Sequence, residues 1–392
     1  MPDFDVVVVG GGCAGLWAAR TAASAGARTL LVERQGRIGE RVACAEGVGA
    51  AGMGQFIDLP AECVASTVDL ARLYDPEGGC IEISEPGCGY VLNKGLFLRR
   101  LASEAARAGA ETSVGTQAVG VRPISGRGLR IDLEGTEGGR TVTAGGVVGA
   151  DGIESGLGWQ LGIRNALRPI EVFSCAQYVL APVDIEPRTV EFHFGREVAP
   201  GGYAWVFPKG EYVANVGVGV ICSGKRQAAP LEYLKRFKAR RCPDARVLAS
   251  VFGGVPTARA PFSSYRSGVF LAGDAGRMAD PVSGAGIVPA METAELAARA
   301  AVGYAVEVKS LRSVERDFKK NLKSLYKDRT LRFAVRRILA GMSDAEASRM
   351  LNLVGEYASR RSLIKGDPFS IVKFMVKAMP RTFGLVRHLV RS

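Results

Sequence analysis

Residues 6–33 read VVVVGGGCAGLWAARTAASAGARTLLVE. Val6 to Val9 is an apolar run of the kind that forms a buried strand. It stops at Gly10-Gly11-Gly12, and a small-residue segment from Cys13 to Ala25 follows with helical composition. A second apolar strand, Thr29 to Val32, ends in Glu33. Strand, glycine turn, helix, strand and acid make a βαβ unit of the dinucleotide-binding type. Gly10 permits the tight turn, Gly12 lets the backbone approach a pyrophosphate, and Gly15 lets the helix lie close to the sheet. The helix start at Cys13 and Ala14 offers N–H groups and a partial positive charge to phosphates, while the Cys13 side chain reads as packing. Glu33 follows Gly15 by 18 residues, where it can accept hydrogen bonds from a ribose. A carboxylate there repels a 2′-phosphate, so FAD or NAD is expected rather than NADP.

A chain of 392 residues can bury a large core and hold more than one domain. A net charge of +12 suggests an anionic partner such as lipid head groups, phosphates or an acidic protein. Nucleic acid is not expected, because no RNA- or DNA-binding motif accompanies the charge. The 8 cysteines lack CxxC pairs and there are only 2 histidines, His193 and His388, which argues against zinc and iron–sulfur sites and for no metal. Scattered thiols and the lack of a basic leader ahead of Val6 point to a reducing, cytoplasmic location. No apolar run reaches the roughly 18 residues of a membrane span. Peripheral attachment to the inner face of the membrane remains compatible with the charge.

Along the chain, residues 34–60 are too glycine-rich in their first half for a regular helix. Residues 66–91 read as a hairpin with a turn at Asp75–Gly79, and 93–109 as a helix. Short strands are expected at 111–114, 118–123, 129–134 and 141–143, and a separate buried one at Val147–Val148 running into Gly149-Ala150-Asp151-Gly152. A small helix is expected at 157–161. From 172 to 220 the pattern is β, a second sheet, with His193 as a structural residue on one strand. A helix is expected at 231–239. Val269–Ala272 is a strand leading into Gly273-Asp274 and then, through Gly276–Gly286, into an alanine-rich helix from Ile287. Residues 307–392 read as helices, and 360–392 carries eight Lys/Arg against Asp367 together with many apolar residues.

Gly10-x-Gly12-x-x-Gly15 with Glu33, Gly149-Ala150-Asp151-Gly152, and Gly273-Asp274-Ala275 occur in that order. With them stand IGERVACAEGV (38–48), APGGYAWVFPKG (199–210) followed by ANVGVGV (214–220), and LAGDAGRMADPVSGAGI (271–287). On these motifs the chain resembles the FAD-dependent proteins built on the p-hydroxybenzoate hydroxylase plan, and within them the geranylgeranyl reductase family of the archaeal digeranylgeranylglycerophospholipid reductase type. The likeness covers most of residues 1–330. It implies a fold of class α/β and α+β, in which a Rossmann-type FAD-binding domain (1–65, 92–165 and 265–306) is interleaved with an antiparallel β-sheet substrate domain (66–91 and 166–264). A C-terminal helical region (307–392) completes it.

The resemblance also implies an activity: saturation of isolated C=C bonds in geranylgeranyl chains of isoprenoid lipids, with hydride from reduced FAD and coupled protonation. Such an alkene has no carbonyl to activate it, so the site needs an apolar channel, a proton donor and a route for electrons. Implied cofactor contacts, beyond the glycine turn and Glu33, come from Arg34, Arg41, Ala43, Cys44, Lys94, Asp151, Gly273, Asp274, Pro281, Gly284, Gly286 and Ile287. Asp274 ends a strand where it can bond the ribityl chain. Gly284-Ala285-Gly286 opens a helix whose N–H groups can face the flavin pyrimidine edge. Lys94 stands where the family carries an arginine, and Ser283-Gly284-Ala285-Gly286 where a threonine and three glycines are usual. Cys44 and Glu46 are the candidate proton donors, with a flavin-bound water as the alternative and plain packing as the other reading of Cys44. Tyr203, Trp205, Phe207 and Pro208 are the candidate substrate wall, or ordinary core. Without a second dinucleotide fingerprint, the electron donor is transient: a ferredoxin-like protein, NAD(P)H or a deazaflavin. The basic 360–392 stretch reads as a surface for an anionic membrane, as a helical cap over the substrate tunnel, or as both. Competing readings are a flavin monooxygenase of the same fold, an electron-transfer flavoprotein dehydrogenase, and a non-catalytic FAD-binding membrane-associated protein.

Overall fold

The chain passes repeatedly between two units, each built on its own sheet. A computed structural model describes residues 1–136, 138–163, 166–221, 228–258 and 264–360. The first unit takes Met1–Val42, Lys94–Leu167 and Pro256–Arg329, and the second takes Ala43–Asn93, Arg168–Val255 and the chain from Thr330.

The opening segment supplies β1 (Phe4–Val9), α1 (Cys13–Ser24) and β2 (Thr29–Val32). Next come β3 (Gly47–Gly49), α2 (Ala50–Met53) and the long hairpin of β4 (Val64–Tyr74) and β5 (Cys80–Leu92). The third segment holds α3 (Lys94–Arg107), β6 (Glu111–Ser113), β7 (Thr116–Pro123), β8 (Leu129–Gly135), β9 (Gly138–Gly149) and α4 (Gly156–Gln160). In the fourth are β10 (Val172–Ala181), β11 (Thr189–His193), β12 (Tyr203–Pro208), β13 (Ala214–Val220), α5 (Pro230–Arg241) and β14 (Arg246–Pro256). After these follow β15 (Tyr265–Arg266), β16 (Val269–Leu271), α6 (Ile287–Ala305) and α7 (Leu311–Leu325), then α8 (Arg329–Gly341) and α9 (Asp344–Arg360).

In the first sheet the strand order is β15-β16-β9-β1-β2-β6, with β8 paired to β9 and β7 to β8. β1 runs parallel to both β2 and β9, and β16 runs parallel to β9. The register sets Val9 opposite Val32 and Gly149, and Gly149 opposite Leu271. The residues just past these strand ends, Gly10, Glu33, Asp151 and Gly273, therefore emerge along one edge of the sheet, where ligands bind in open α/β sheets. Both faces are covered, so Val6–Val8 are 0% exposed. Cβ atoms added at Gly145 and Gly146 would lie 2.6 Å from the Ala305 Cβ and 3.1 Å from the Ala301 carbonyl oxygen. Glycine on the strand and alanine on α6 thus let helix and sheet touch closely. α7 buries Val314, Phe318 and Leu322 at helical spacing, and the Phe318 ring meets Phe270 edge-on at 5.2 Å.

The second sheet has the order β14-β10-β13-β12-β11-β4-β5-β3. β10–β13, β13–β12, β12–β11, β4–β5 and β5–β3 pair antiparallel, and β11 pairs parallel with β4. Ala204, Val206, Val216 and Val218 point to one face, where they form a core with Leu234 and Phe237 of α5. Trp205, Phe207 and Phe192 point to the other.

Several boundaries differ from the sequence reading. Residues 43–65 group with the second unit, because β3 pairs with β5 and the hairpin strand β4 already begins at Val64. The strands read at 141–143 and 147–148 are a single strand, β9, since the glycines between them serve packing and do not break it. β14 was not foreseen: it lies at the sheet edge, is exposed over most of its length, and has no alternating pattern. The helices after 307 do not form one region. α7 belongs to the first unit, whereas Met342, Met350 and Leu351 of the second pack on Leu73 and Ile81 of the β4–β5 hairpin. Beyond Arg360, the basic stretch read at 360–392, with His388, lies outside the described residues. Among the described residues no helix is long and apolar enough to cross a membrane.

Candidate cofactor and substrate sites

In the first unit the glycine turn is tightly built. Gly10 has φ +107°, and a Cβ there would sit 2.3 Å from the Ala150 carbonyl oxygen. A Cβ at Gly15 would sit 1.7 Å from the Gly10 carbonyl oxygen. Gly12 differs, for a Cβ there would meet nothing within 4 Å. It is also the N-cap of α1, which has no side-chain cap and no acid in its first turn. Open space in front of an uncapped helix start is what a pyrophosphate needs. The Glu33 carboxylate accepts from the Gly11 N–H at 2.5 Å and the Gln35 N–H at 2.8 Å, one on each oxygen. It pins the turn and keeps lone pairs for a ribose hydroxyl.

The GDAG turn reaches the same place. A Cβ at Gly273, whose φ is +57°, would lie 3.0 Å from the Ala14 Cβ, and one at Gly286 would lie 3.8 Å from Asp274 Oδ1. The first unit thus brings Ala14, Gly273, Asp274 and Gly286 together. Ile287 and Pro281 are buried beside them. Asp151 accepts from the Leu157 N–H at 3.1 Å and so braces the turn into α4. Lys94 opens α3 beside Gly95, against which Gly39 packs closely. Arg34 is exposed and reaches Glu154 at 3.5 Å, and Arg41 is exposed.

Sequence reasoning missed the residues that support this edge. Asp280 Oδ1 accepts from the Val282 and Ser283 N–H groups at 3.0 and 2.8 Å, shaping the loop before α6. The Gly273 N–H donates to Thr293 Oγ1 at 3.0 Å. Buried Arg329 donates to the carbonyls of Arg277, Met278 and Ala279. Asp280, beside the Pro-containing loop motif, was within reach of a sequence argument; Arg329, some fifty residues downstream of its partners, was not.

In the second unit the Cys44-Ala45-Glu46 turn is held at every residue. Gln177 Nε2 donates to the Cys44 carbonyl at 3.1 Å, and Asn215 Nδ2 donates to the Ala45 carbonyl at 3.2 Å. Glu46 has φ +71°, a left-handed conformation uncommon for a non-glycine residue. Its carbonyl accepts from the Leu92 N–H at 2.9 Å. Its carboxylate pairs with Lys209 Nζ at 2.7 Å and accepts from Asn215 Nδ2 at 2.7 Å. Lys209 also reaches the Leu92 carbonyl and Asn93 Oδ1. Glu46 is therefore committed to support, and a proton donor there would have to give up the Lys209 pair. The Cys44 thiol is half-buried, and its sulfur accepts from the Glu46 N–H at 3.2 Å. Ala43 is exposed beside it.

Tyr203, Trp205 and Phe207 share one face of β12, with ring centroids 6.0 and 6.5 Å apart in sequence. Pro208 falls on the opposite face by strand alternation and does not join them. Glycines on the neighbouring strand make room: a Cβ at Gly217 would sit 2.3 Å from Trp205 Cζ2. The Trp205 Nε1–H donates to Gln177 Oε1 at 3.0 Å, so one side chain ties the aromatic face to Cys44. A Cβ at Gly47 would lie 2.8 Å from Phe207 Cε2, and Ala45 packs on the same cluster. Cys175 lies on this face too. Burial pushes its thiol up to about 12, with Cys44 adding to the effect, so it stays protonated. On the opposite face His193 stacks on Tyr74 at 4.3 Å and hydrogen-bonds buried Glu191 at 2.9 Å. Arg241 also holds Glu191, and the three side chains line a cavity of about 500 Å³.

The cradle and its neighbours define a flavoprotein oxidoreductase. A family model described as FAD dependent oxidoreductase matches residues 5–153, and FAD is the cofactor. The open Gly12 and uncapped α1 fit its pyrophosphate. A second model, geranylgeranyl reductase catalytic domain, matches residues 171–255, which hold the aromatic face. The chain is 37% identical to the digeranylgeranylglycerophospholipid reductase of Methanothrix thermoacetophila, covering 98% of this chain and 99% of that one. It is 41% identical to the reductase of the same name from Methanosarcina acetivorans, over 76% and 75% of the two chains. Among solved structures, a geranylgeranyl bacteriochlorophyll reductase-like protein from Thermoplasma acidophilum matches with TM-score 0.91 and 30% identity, over 98% of this chain and 99% of that one. A myxobacterial chondrochloren halogenase shares the fold, with TM-score 0.69 and 18% identity over 96% of each chain. The chain belongs to the geranylgeranyl reductase family.

Proposed function

We propose that this protein saturates isolated double bonds in the geranylgeranyl chains of an isoprenoid glycerophospholipid. The observation that carries the reading is the single hydrogen-bonded tie from Trp205 through Gln177 to Cys44. Bound FAD, once reduced, supplies hydride. The chain's own residues do the rest. Gly10, Gly12, Gly15 and the α1 start hold the pyrophosphate, and Glu33 accepts from the ribose. Asp274 and the Gly284–Gly286 helix start receive the flavin end, with Lys94, Arg34 and Arg41 adding positive charge. Tyr203, Trp205 and Phe207 hold the prenyl chain and exclude water. Cys44 delivers the proton, from a turn kept in place by Lys209, Glu46 and Asn215.

Electrons reach the protein transiently. Its net charge of +12 favours an acidic donor protein of the ferredoxin type, with NAD(P)H or a deazaflavin as the small-molecule alternatives. The same charge favours an anionic membrane surface, where the lipid resides. Anaerobic incubation of the dithionite-reduced protein with a digeranylgeranylglycerophospholipid, followed by mass spectrometry, tests the reading. The expected result is a gain of one hydrogen pair per reduced bond, and a slower gain in Cys44→Ser with flavin reduction unchanged. Products that require oxygen and carry an oxygen atom would mean a monooxygenase instead.

A further inference from the structure

Arg336 of α8 is only 2% exposed. Its guanidinium carbon lies 4.8 Å over the Phe173 ring. Nη1 donates to the Ile170 carbonyl at 2.6 Å. Nε and Nη2 are buried and have no hydrogen-bond partner among the described residues. Burial pushes this arginine down to about 10, against the opposing pull of Glu171. Glu171 is near enough to act on the arginine by charge but takes no hydrogen bond from Nε or Nη2; its oxygens accept from the Arg168 N–H at 2.9 Å and Arg168 Nη2 at 2.8 Å. A buried cation with two unmet donors is costly unless an anion meets it.

What lies next to it says which anion. The Phe173 ring touches Tyr203 edge-on at 6.3 Å, and Tyr203 leads to Trp205 and Phe207 along the strand. Phe207 lies against Gly47, three residues from Cys44. An aromatic path therefore runs from the Cys44 turn to a guanidinium fork. A ligand that suits both ends has an unsaturated apolar tail and a tetrahedral oxyanion head, and guanidinium recognises phosphate through paired N–H donors.

We propose that Nε and Nη2 of Arg336 bind the phosphate of the lipid substrate, fixing the head at this end of the aromatic path while the tail extends toward Cys44. This rests on the reductase reading above. Arg336 positions the substrate and takes no part in the chemical step.

The test measures binding and turnover separately on the FAD-loaded full chain. The probes are a digeranylgeranylglycerophospholipid, the same lipid lacking its phosphate, and inorganic phosphate as competitor. Arg336→Gln is expected to weaken binding of the phospholipid by about tenfold or more, with a matching rise in KM. Binding of the phosphate-free lipid, kcat and FAD content should stay within about twofold. Arg336→Lys should recover part of the loss, and Arg337→Gln, on the exposed side of α8, should behave as wild type. Phosphate should compete with the phospholipid in the wild type alone. Equal losses for both lipids would assign Arg336 a structural role and overturn the proposal, as would unchanged binding of both. Should Arg336→Gln fail to fold, the wild type decides: equal affinity for the two lipids and no competition by phosphate also overturns it. If the wild type binds the phospholipid selectively but reduces neither lipid, the reductase reading fails and the phosphate site stands.

Discussion

Glu33 and Glu46 end comparable stretches of the two units but are held in opposite ways. Glu33 bonds backbone N–H groups at Gly11 and Gln35, 22 and 2 residues away and both within or beside the same βαβ unit. Glu46 bonds side chains at Lys209 and Asn215, more than 160 residues away. The first arrangement needs only local chain geometry. The second exists only once β5, β12 and β13 have assembled. A turn held by its own βαβ unit can be written in a short motif, whereas a turn held by distant side chains is written across the whole sheet around it.

The strongest way to break this comparison is at the glycine turn. Gly15→Ala places a Cβ 1.7 Å from the Gly10 carbonyl oxygen. It should cost about 4 kcal/mol or more of stability and lose FAD, read by urea denaturation and flavin absorbance. Gly12→Val should also lose FAD, yet keep apo-protein stability within about 1 kcal/mol, because nothing stands within 4 Å. Retention of FAD by Gly12→Val would show that the pyrophosphate does not pass there.

Lys209→Met tests the other side. It leaves the Glu46 carboxylate buried without its cation and should cost about 3–5 kcal/mol, with part of the loss recovered when Glu46→Gln is added. An additive double mutant would mean the two side chains do not interact. A smaller effect comes from Glu191, also in the second sheet. Burial alone would raise this carboxyl, but hydrogen bonds from His193 and Arg241 outweigh it and hold it at about 2, below its ordinary 4.5. A depressed carboxyl contributes stability that is full above pH 4.5 and fades as pH falls toward 2. Unfolding free energy should therefore drop by about 3 kcal/mol across that window, and Arg241→Met should flatten the slope.

Reading from sequence succeeded where structure follows from neighbours along the chain. The β1–α1–β2 unit, the alternation of β10 to β13 and the loop into α6 all carry their signals locally. It failed where exposure hides the pattern, as in β14, and where glycine serves a neighbour and not a turn, as at Gly145 and Gly146 in β9. In the site, Cys44 and the aromatic stripe stood out by residue type. Gln177, Lys209 and Asn215 did not, because a polar side chain in a strand, or just past its end, says nothing about which distant group it meets. Pro208 adjoins the aromatics in sequence, but strand alternation puts it on the other face.

The interleaving of the two units also sets an order of assembly. β1 and β9 lie side by side, yet the neighbour of β9 on its far side, β16, begins only at Val269. Asp274, beside the α6 start, follows at once. During synthesis the glycine turn emerges first, but the sheet edge at which it lies is finished only after some 270 residues have been made. Until then the Val147–Gly149 end of β9 has no strand on that side, an open edge of the kind on which unfinished chains associate.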